Sequence, residues 1–206
     1  MEKYLQEVMK EGEIPVTVIR PSLTFGRGAA NIGVLRQNYN IVRRIKEGKP
    51  LVLFGEGTIP WSFTFVEDLA KGFILSCMNP AAFNDAFHIT NTEVVMWEDL
   101  YRVIGRILGI EPKFVYIPSA LLKEANPALF AHFYYEKKYP AVFSNDKFKK
   151  AAPEYEPSVT LEEGMKEIMQ WWEEEANEID EEKDRLEDRL CKAYENYRKE
   201  LCKILK

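Results

Sequence analysis

Residues 16–28, VTVIRPSLTFGRG, place four apolar or β-branched residues ahead of Arg20, Pro21 and a loop that holds Gly26 and Gly28. A buried strand running into such a loop forms the edge at which an open α/β sheet meets its ligand. The same residues also suit a plain strand-to-loop turn, with the glycines serving backbone geometry. Arg27 and Arg36 follow the loop, and exposed arginines are more often simply solvated. Other chemistry is sparse. His88 and His132 are the two histidines, one in a strand pattern and one in a helix pattern, and neither joins a Cys/His cluster. Cys77, Cys191 and Cys202 are odd in number and widely spaced. Neither a disulfide framework nor a metal site is expected, and a cytoplasmic location is the default.

The elements that would position this loop follow from the hydrophobic pattern. Tyr4, Leu5, Val8 and Met9 mark one face of a short helix that Gly12 can end. Pro15 to Ile19 reads as a buried strand. Residues 33–47 read as a helix with Val34, Leu35, Ile41, Val42 and Ile45 inward and Arg43, Arg44 and Lys46 on a solvated side. PLVLFGEG is a strand and turn, and WSFTFV alternates as a strand. Glu67 and Asp68 open a helix whose dipole they suit, with Leu69, Phe73 and Cys77 along one side and Ala70 and Ile74 beside them. AFHIT, 86–90, and KFVYIP are strands flanking a helix marked by Trp97, Leu100, Tyr101, Ile104 and Leu108. Residues 119–138 are mainly helical, with a break near Pro127. Thr160 and Glu163 form a capping box before a helix carrying Met165, Ile168, Met169 and Trp172.

From Ile179, residues Leu186, Leu190, Tyr194, Tyr197, Leu201 and Leu205 recur at helical spacing, an amphipathic helix of about seven turns. Its first half is expected to pack on its own domain and its last turns to pair with another chain. Strands alternate with helices to about residue 118 and the remainder is helical, which is an α/β pattern.

The length of 206 residues fits one large domain or two small ones. A net charge of -5 argues against a nucleic-acid or acidic-membrane partner. No apolar run is long enough to cross a bilayer, and MEKYLQEVMK is amphipathic rather than a signal peptide.

VTVIRPSLTFGRG, GKPLVLFGEGTIPWSFTFVEDLAKGF, AFHITNTEVVMWEDLYRVIGRILGIEPKFVYIPS and FSNDKFKKAAPEYEPSVTLEEGMKEIMQWW follow one another in an order that resembles the C-terminal half of the extended short-chain dehydrogenase/reductases. The nearest group is the NAD-dependent epimerase/dehydratases, the nucleoside-diphosphate-sugar epimerases. The resemblance implies the C-terminal part of a Rossmann-type sheet plus a mainly helical substrate domain. Residues 1–32 and 62–92 would be the remnant of the nucleotide-binding domain, 33–61 and 93–178 the substrate domain, and 179–206 a C-terminal helix. It also implies that Pro21, Ser22 and Leu23 contact the cofactor, NAD or NADP, largely through backbone, and that Phe25 stands where the family usually has Tyr.

The family's pyrophosphate-binding Gly-rich turn and its Tyr-x-x-x-Lys pair have no counterpart in the expected context here. Tyr134 and Lys138 match the spacing inside an aromatic-rich helix and read as an accident. No catalytic residue is therefore assigned. The isolated chain is expected to be inactive and to bind no cofactor alone. Trp61 stands where relatives carry an Arg that grips the substrate diphosphate. An indole cannot pair with phosphate as a guanidinium does, so Trp61 either stacks on a sugar or other ring or packs between sheet and helix. Phe25, Arg27, Arg36 and Trp61 are the candidate substrate residues. The expected function is the substrate-domain portion of an oxidoreductase acting on a sugar-like or nucleotide-sugar molecule. The alternative is a non-catalytic module that associates through an exposed sheet edge and the helical tail. Expected partners are a small-molecule substrate and either an N-terminal Rossmann half or a second copy of the chain.

Overall fold

The computed structural model describes residues 2–12, 14–28, 32–35 and 38–205. Helix α1 (Glu2–Glu11) precedes β1 (Thr17–Pro21), and Ser22 alone separates β1 from β2 (Leu23–Phe25). There follow α2 (Tyr39–Lys46), β3 (Pro50–Phe54), β4 (Pro60–Phe65), α3 (Val66–Ser76), β5 (Asp85–Ile89), β6 (Val94–Met96), α4 (Trp97–Leu108) and β7 (Lys113–Ile117). The remainder is helical: α5 (Ser119–Ala125), α6 (Pro127–His132), a π-helical turn over Phe133–Lys137, α7 (Asp146–Ala151), α8 (Leu161–Glu175) and α9 (Glu181–Ile204).

Among the described residues the strands form three small sheets. β1 pairs β5 in parallel, with Ile19 opposite Phe87; β2 pairs β4 in parallel and β4 pairs β6 antiparallel; β3 pairs β7 in parallel. Parallel pairs need long crossovers, and helices supply them. The fold is the expected mixed α/β arrangement with a helical C-terminal part.

Three expectations about local structure need correction. The helix drawn over 33–47 begins only at Tyr39. Val34 and Leu35 are still buried, but in a turn, and the carbonyl of buried Ile32 before them accepts the Tyr101 hydroxyl at 2.7 Å. β1 begins at Thr17 rather than Pro15 and is half-buried, because β5 is its one strand partner among the described residues. Helix α3 turns Asp68, Gly72 and Ser76 inward instead of Phe73 and Cys77. Gly72 lies so close to β5 that a Cβ there would meet the Ile89 side chain at 2.5 Å. That close approach selects the small-residue face and leaves Phe73 and Ile74 49% and 70% exposed.

The larger core gathers α2, β3, β4, α4 and α8. Helix α8 starts on the expected capping box: the Thr160 side chain accepts the Glu163 N–H at 3.2 Å, and the Glu163 carboxylate accepts the Thr160 N–H at 2.9 Å. Helix α9 packs differently from its leucine pattern. It buries Asp184, Glu187 and Cys191, while Leu186, Leu190 and Tyr194 are half-buried and Tyr197, Leu201 and Leu205 are exposed. The reason is Arg44, which is fully buried rather than solvated. Its guanidinium meets Asp184 at 2.8 Å, Asp188 at 2.8 Å and Glu187 at 3.4 Å, and it donates to the Pro50 carbonyl. A charge can leave water only with partners of this quality. No described helix is long and apolar enough to cross a membrane.

Candidate functional site

At Ser22 the chain leaves the β1–β5 sheet and enters the β2–β4–β6 sheet. The site is thus a switch point beside the carboxyl ends of β1 and β5, where open α/β sheets hold ligands. A polar knot fixes it. The Ser22 hydroxyl lies 2.6 Å from that of Thr64 on β4 and 3.0 Å from that of Thr90, just past β5. Thr64 Oγ1 also accepts the Asn91 N–H at 3.2 Å. Asn145 Nδ2 donates to the Thr90 carbonyl at 2.9 Å, and Asn91 Nδ2 to the Val159 carbonyl at 2.9 Å. All five polar side chains are buried. Buried polar groups are tolerated when they satisfy one another in this way.

Two atoms at this end of β5 remain unmet among the described residues. They are Asn145 Oδ1, on a side chain 1% exposed, and His88 Nδ1, whose ring stacks on Phe143 at 4.6 Å. Asp68, at the start of α3, accepts the Ser158 and Val159 N–H groups and the Lys71 ammonium, and the Val159 carbonyl in turn accepts Asn91. That arrangement ties the loop before α8 to the knot.

The candidate residues separate into distinct settings. Pro21 is exposed at the end of β1, Ser22 is locked in the knot, and Leu23 is half-buried in β2. Phe25 belongs to the core, edge-on to Phe65 with centroids 5.4 Å apart, and presents no face to a cleft. Gly26, at φ 155°, brings the loop against α3; a Cβ there would lie 2.3 Å from Val66 Cγ1. Arg27 is exposed and pairs with Glu167 of α8 at 3.0 Å. Arg36 lies outside the described residues. Trp61 is 5% exposed, donates its indole N–H to the Tyr139 carbonyl at 2.9 Å and packs edge-on to Trp97. Lys137 lies 4.2 Å over its ring, so that face is occupied too. The structure thus selects the packing alternative for Trp61. Lys138 sits over the Tyr134 ring face at 3.5 Å, a cation–π contact and not the geometry of an acid/base pair.

Sequence reasoning missed Thr64, Thr90, Asn91 and Asn145. Thr64 left a trace: Ser62 and Thr64 interrupt an otherwise aromatic strand that is buried on both faces. Hydroxyls in such a strand require partners. Asn145 comes from distant sequence and left none.

Comparison with known proteins shows what the chain is similar to. The pattern of the NAD dependent epimerase/dehydratase family matches residues 1–90. A UDP-glucuronate 4-epimerase of Thermodesulfobacterium geofontis is 21% identical over 162 residues, covering 78% of this chain and 44% of that protein. An epimerase structure from Methanothermobacter thermautotrophicus aligns with TM-score 0.66 at 22% identity, covering 84% of this chain and 47% of that one. A Bacillus anthracis dTDP-glucose 4,6-dehydratase in complex with NAD aligns with TM-score 0.66 at 19% identity, covering 85% and 50%. The chain therefore spans about half the length of the curated relatives and solved structures it matches. The resemblance and the Rossmann-type fold read from the motifs are both borne out.

Proposed function

Residues 1–90 carry the pattern of the NAD-dependent epimerase/dehydratases, and on that premise we propose that this chain supplies the nicotinamide-edge loop and the substrate domain of such an oxidoreductase, acting on a sugar-like or nucleotide-sugar substrate. The observation that carries the reading is the Ser22–Thr64–Thr90 knot, which holds exposed Pro21 at a sheet switch point.

The residues present suit one end of NAD or NADP. Pro21 to Leu23 offer a backbone edge for a flat ring, and Asn145, which donates to the Thr90 carbonyl, keeps its Oδ1 without a partner among the described residues. When bound, the cofactor supplies a hydride acceptor. The role of this chain is to orient the ring edge and to exclude water with the knot. In this reading the pyrophosphate turn and the tyrosine base come from a Rossmann half not contained in residues 1–206. A few backbone contacts at about 0.5–1.5 kcal/mol each do not offset an association cost of about 4 kcal/mol or more. Calorimetry tests this. The chain alone should give no heat with NAD, and the chain combined with the N-terminal half of a UDP-glucuronate 4-epimerase should bind it. Micromolar NAD binding by the chain alone would overturn the reading.

A second reading, a non-catalytic module, draws on Phe73, Ile74 and Met78, exposed by 49%, 70% and 92% around α3. Exposed apolar surface of this kind marks association. A monomer by light scattering that binds no Rossmann half would remove both readings.

A further inference from the structure

Helix α9 and strand β7 enclose a groove of 730 Å³, well away from Ser22. Ligand clefts typically fall at about 300–1,000 Å³ and combine apolar walls with a few polar groups. Here the walls are aromatic. Phe114 and Tyr116 of β7 and Tyr194 of α9 line it, and all three are half-buried against the core. Tyr116 and Tyr194 also border the adjoining cleft beside Gly55 and Pro118, so the aromatic surface continues past the groove.

The charges in the groove are unequal in what they have left to offer. Its two acids are already engaged: Asp188 with Arg44 at 2.8 Å, and Glu195 with Lys199 at 2.8 Å. Its two cations, Lys192 and Arg198, make no hydrogen bond or close ion pair among the described residues, and Arg198 acts on Glu195 only through its charge at longer range. Residues 191, 194, 195 and 198 recur at the three- and four-residue spacing that puts them on one helical face. Arg198 therefore stands one turn beyond Tyr194 on the groove side of α9.

We propose that this groove binds a small aryl anion, a planar ring carrying a carboxylate, sulfonate or phosphate. The ring packs on Tyr116 and Tyr194, and the anionic group meets Arg198, with Lys192 adding positive charge from the other side of Tyr194. Aromatic stacking and a guanidinium partner for the anion are the interactions these residues offer. The site does not depend on the proposed oxidoreductase reading.

The test is fluorescence titration of the full chain with 8-anilinonaphthalene-1-sulfonate, with the neutral N-phenyl-1-naphthylamine as comparator. The anion should bind saturably at one site. Reversing both exposed cations, Lys192→Glu with Arg198→Glu, should weaken it about tenfold or more while leaving the neutral dye within about twofold. Tyr194→Ala should weaken both dyes. The cations are on the surface, so the charge-reversed variant keeps the test valid even if Tyr194→Ala fails to fold. Absence of saturable binding, or binding indifferent to charge reversal, overturns the proposal. So does a dimer by light scattering that excludes the dye and dissociates in Tyr194→Ala, because the groove would then hold a second copy of the chain.

Discussion

The guanidinium of Arg44, with no exposed surface, lies 3.4 Å from Glu187 Oε2, and the other oxygen of Glu187 accepts the Val52 N–H at 2.8 Å. One ion pair thus joins α2, β3 and α9. Removing one partner of such a pair leaves the other buried and uncompensated, at about 3–5 kcal/mol. Arg44→Ala should lower stability by that amount in urea unfolding. A loss under about 1 kcal/mol would mean that α9 detaches without consequence.

A second partner of the same guanidinium, Asp184, sets an acid limit. Burial opposes the charged form of Asp184, yet the hydrogen bonds and charges of Arg44 and Lys49 hold its carboxyl below the ordinary value. A depressed folded-state pKa contributes stability above the unfolded value of about 3.9 and loses it as pH falls further. The urea midpoint should therefore be level from neutrality to about pH 5 and fall below about pH 4. In Arg44→Met that acid dependence should shrink; an unchanged profile would assign it elsewhere.

Trp61→Ala should behave as a core truncation and cost about 3–5 kcal/mol, read as a large fall in melting temperature. Trp61 packs on Trp97 and bonds Tyr139, so a melting temperature close to wild type would contradict its placement.

Gly164 of α8 faces Phe25 and Phe65; a Cβ would meet their rings at 2.8 and 2.7 Å. Gly164→Ala gains about 1 kcal/mol of helix propensity but overpacks a core at about 1–3 kcal/mol. Rigid rings give little, so net destabilisation is expected in thermal melts, and a stabilised variant would show the contact to be loose.

Burial pushes the Cys191 thiol up to about 12, whereas Cys77 and Cys202 are exposed. The thiolate is the reactive form. A disulfide reagent at pH 8 should modify two thiols rapidly and the third only on unfolding. Three fast thiols would mean that α9 is not docked.

Much of this was legible in the sequence where local signals agree. The Thr160/Glu163 box, the WSFTFV strand and the helix from Glu67 stand where pattern puts them. What failed needed tertiary information. Arg44 reads as solvated because its partners Asp184, Glu187 and Asp188 lie in a distant helix whose own pattern points to its leucines. The side of α3 marked by Leu69, Phe73 and Cys77 reads as its apolar face because nothing local reveals that Gly72 must approach Ile89. Phe25 and Trp61 were singled out by resemblance, and residues that fill a core can occupy the places where relatives keep site residues. The knot was half legible: Ser22 was marked, but Thr90 and Asn145 reach it only through the fold.

The central claim is that the end of β1 faces the nicotinamide. Ser22 is too deeply tied to Thr64 and Thr90 to carry a bulky probe, but Pro21 is exposed. The most direct measurement is calorimetry of NAD and of ADP-ribose, which lacks the nicotinamide, on the complex of this chain with an N-terminal Rossmann half. It is made with wild type and with Pro21→Trp. The account predicts that Pro21→Trp weakens NAD about tenfold or more and leaves ADP-ribose unchanged. Equal affinities for NAD in the two complexes, or equal losses for both ligands, would contradict it.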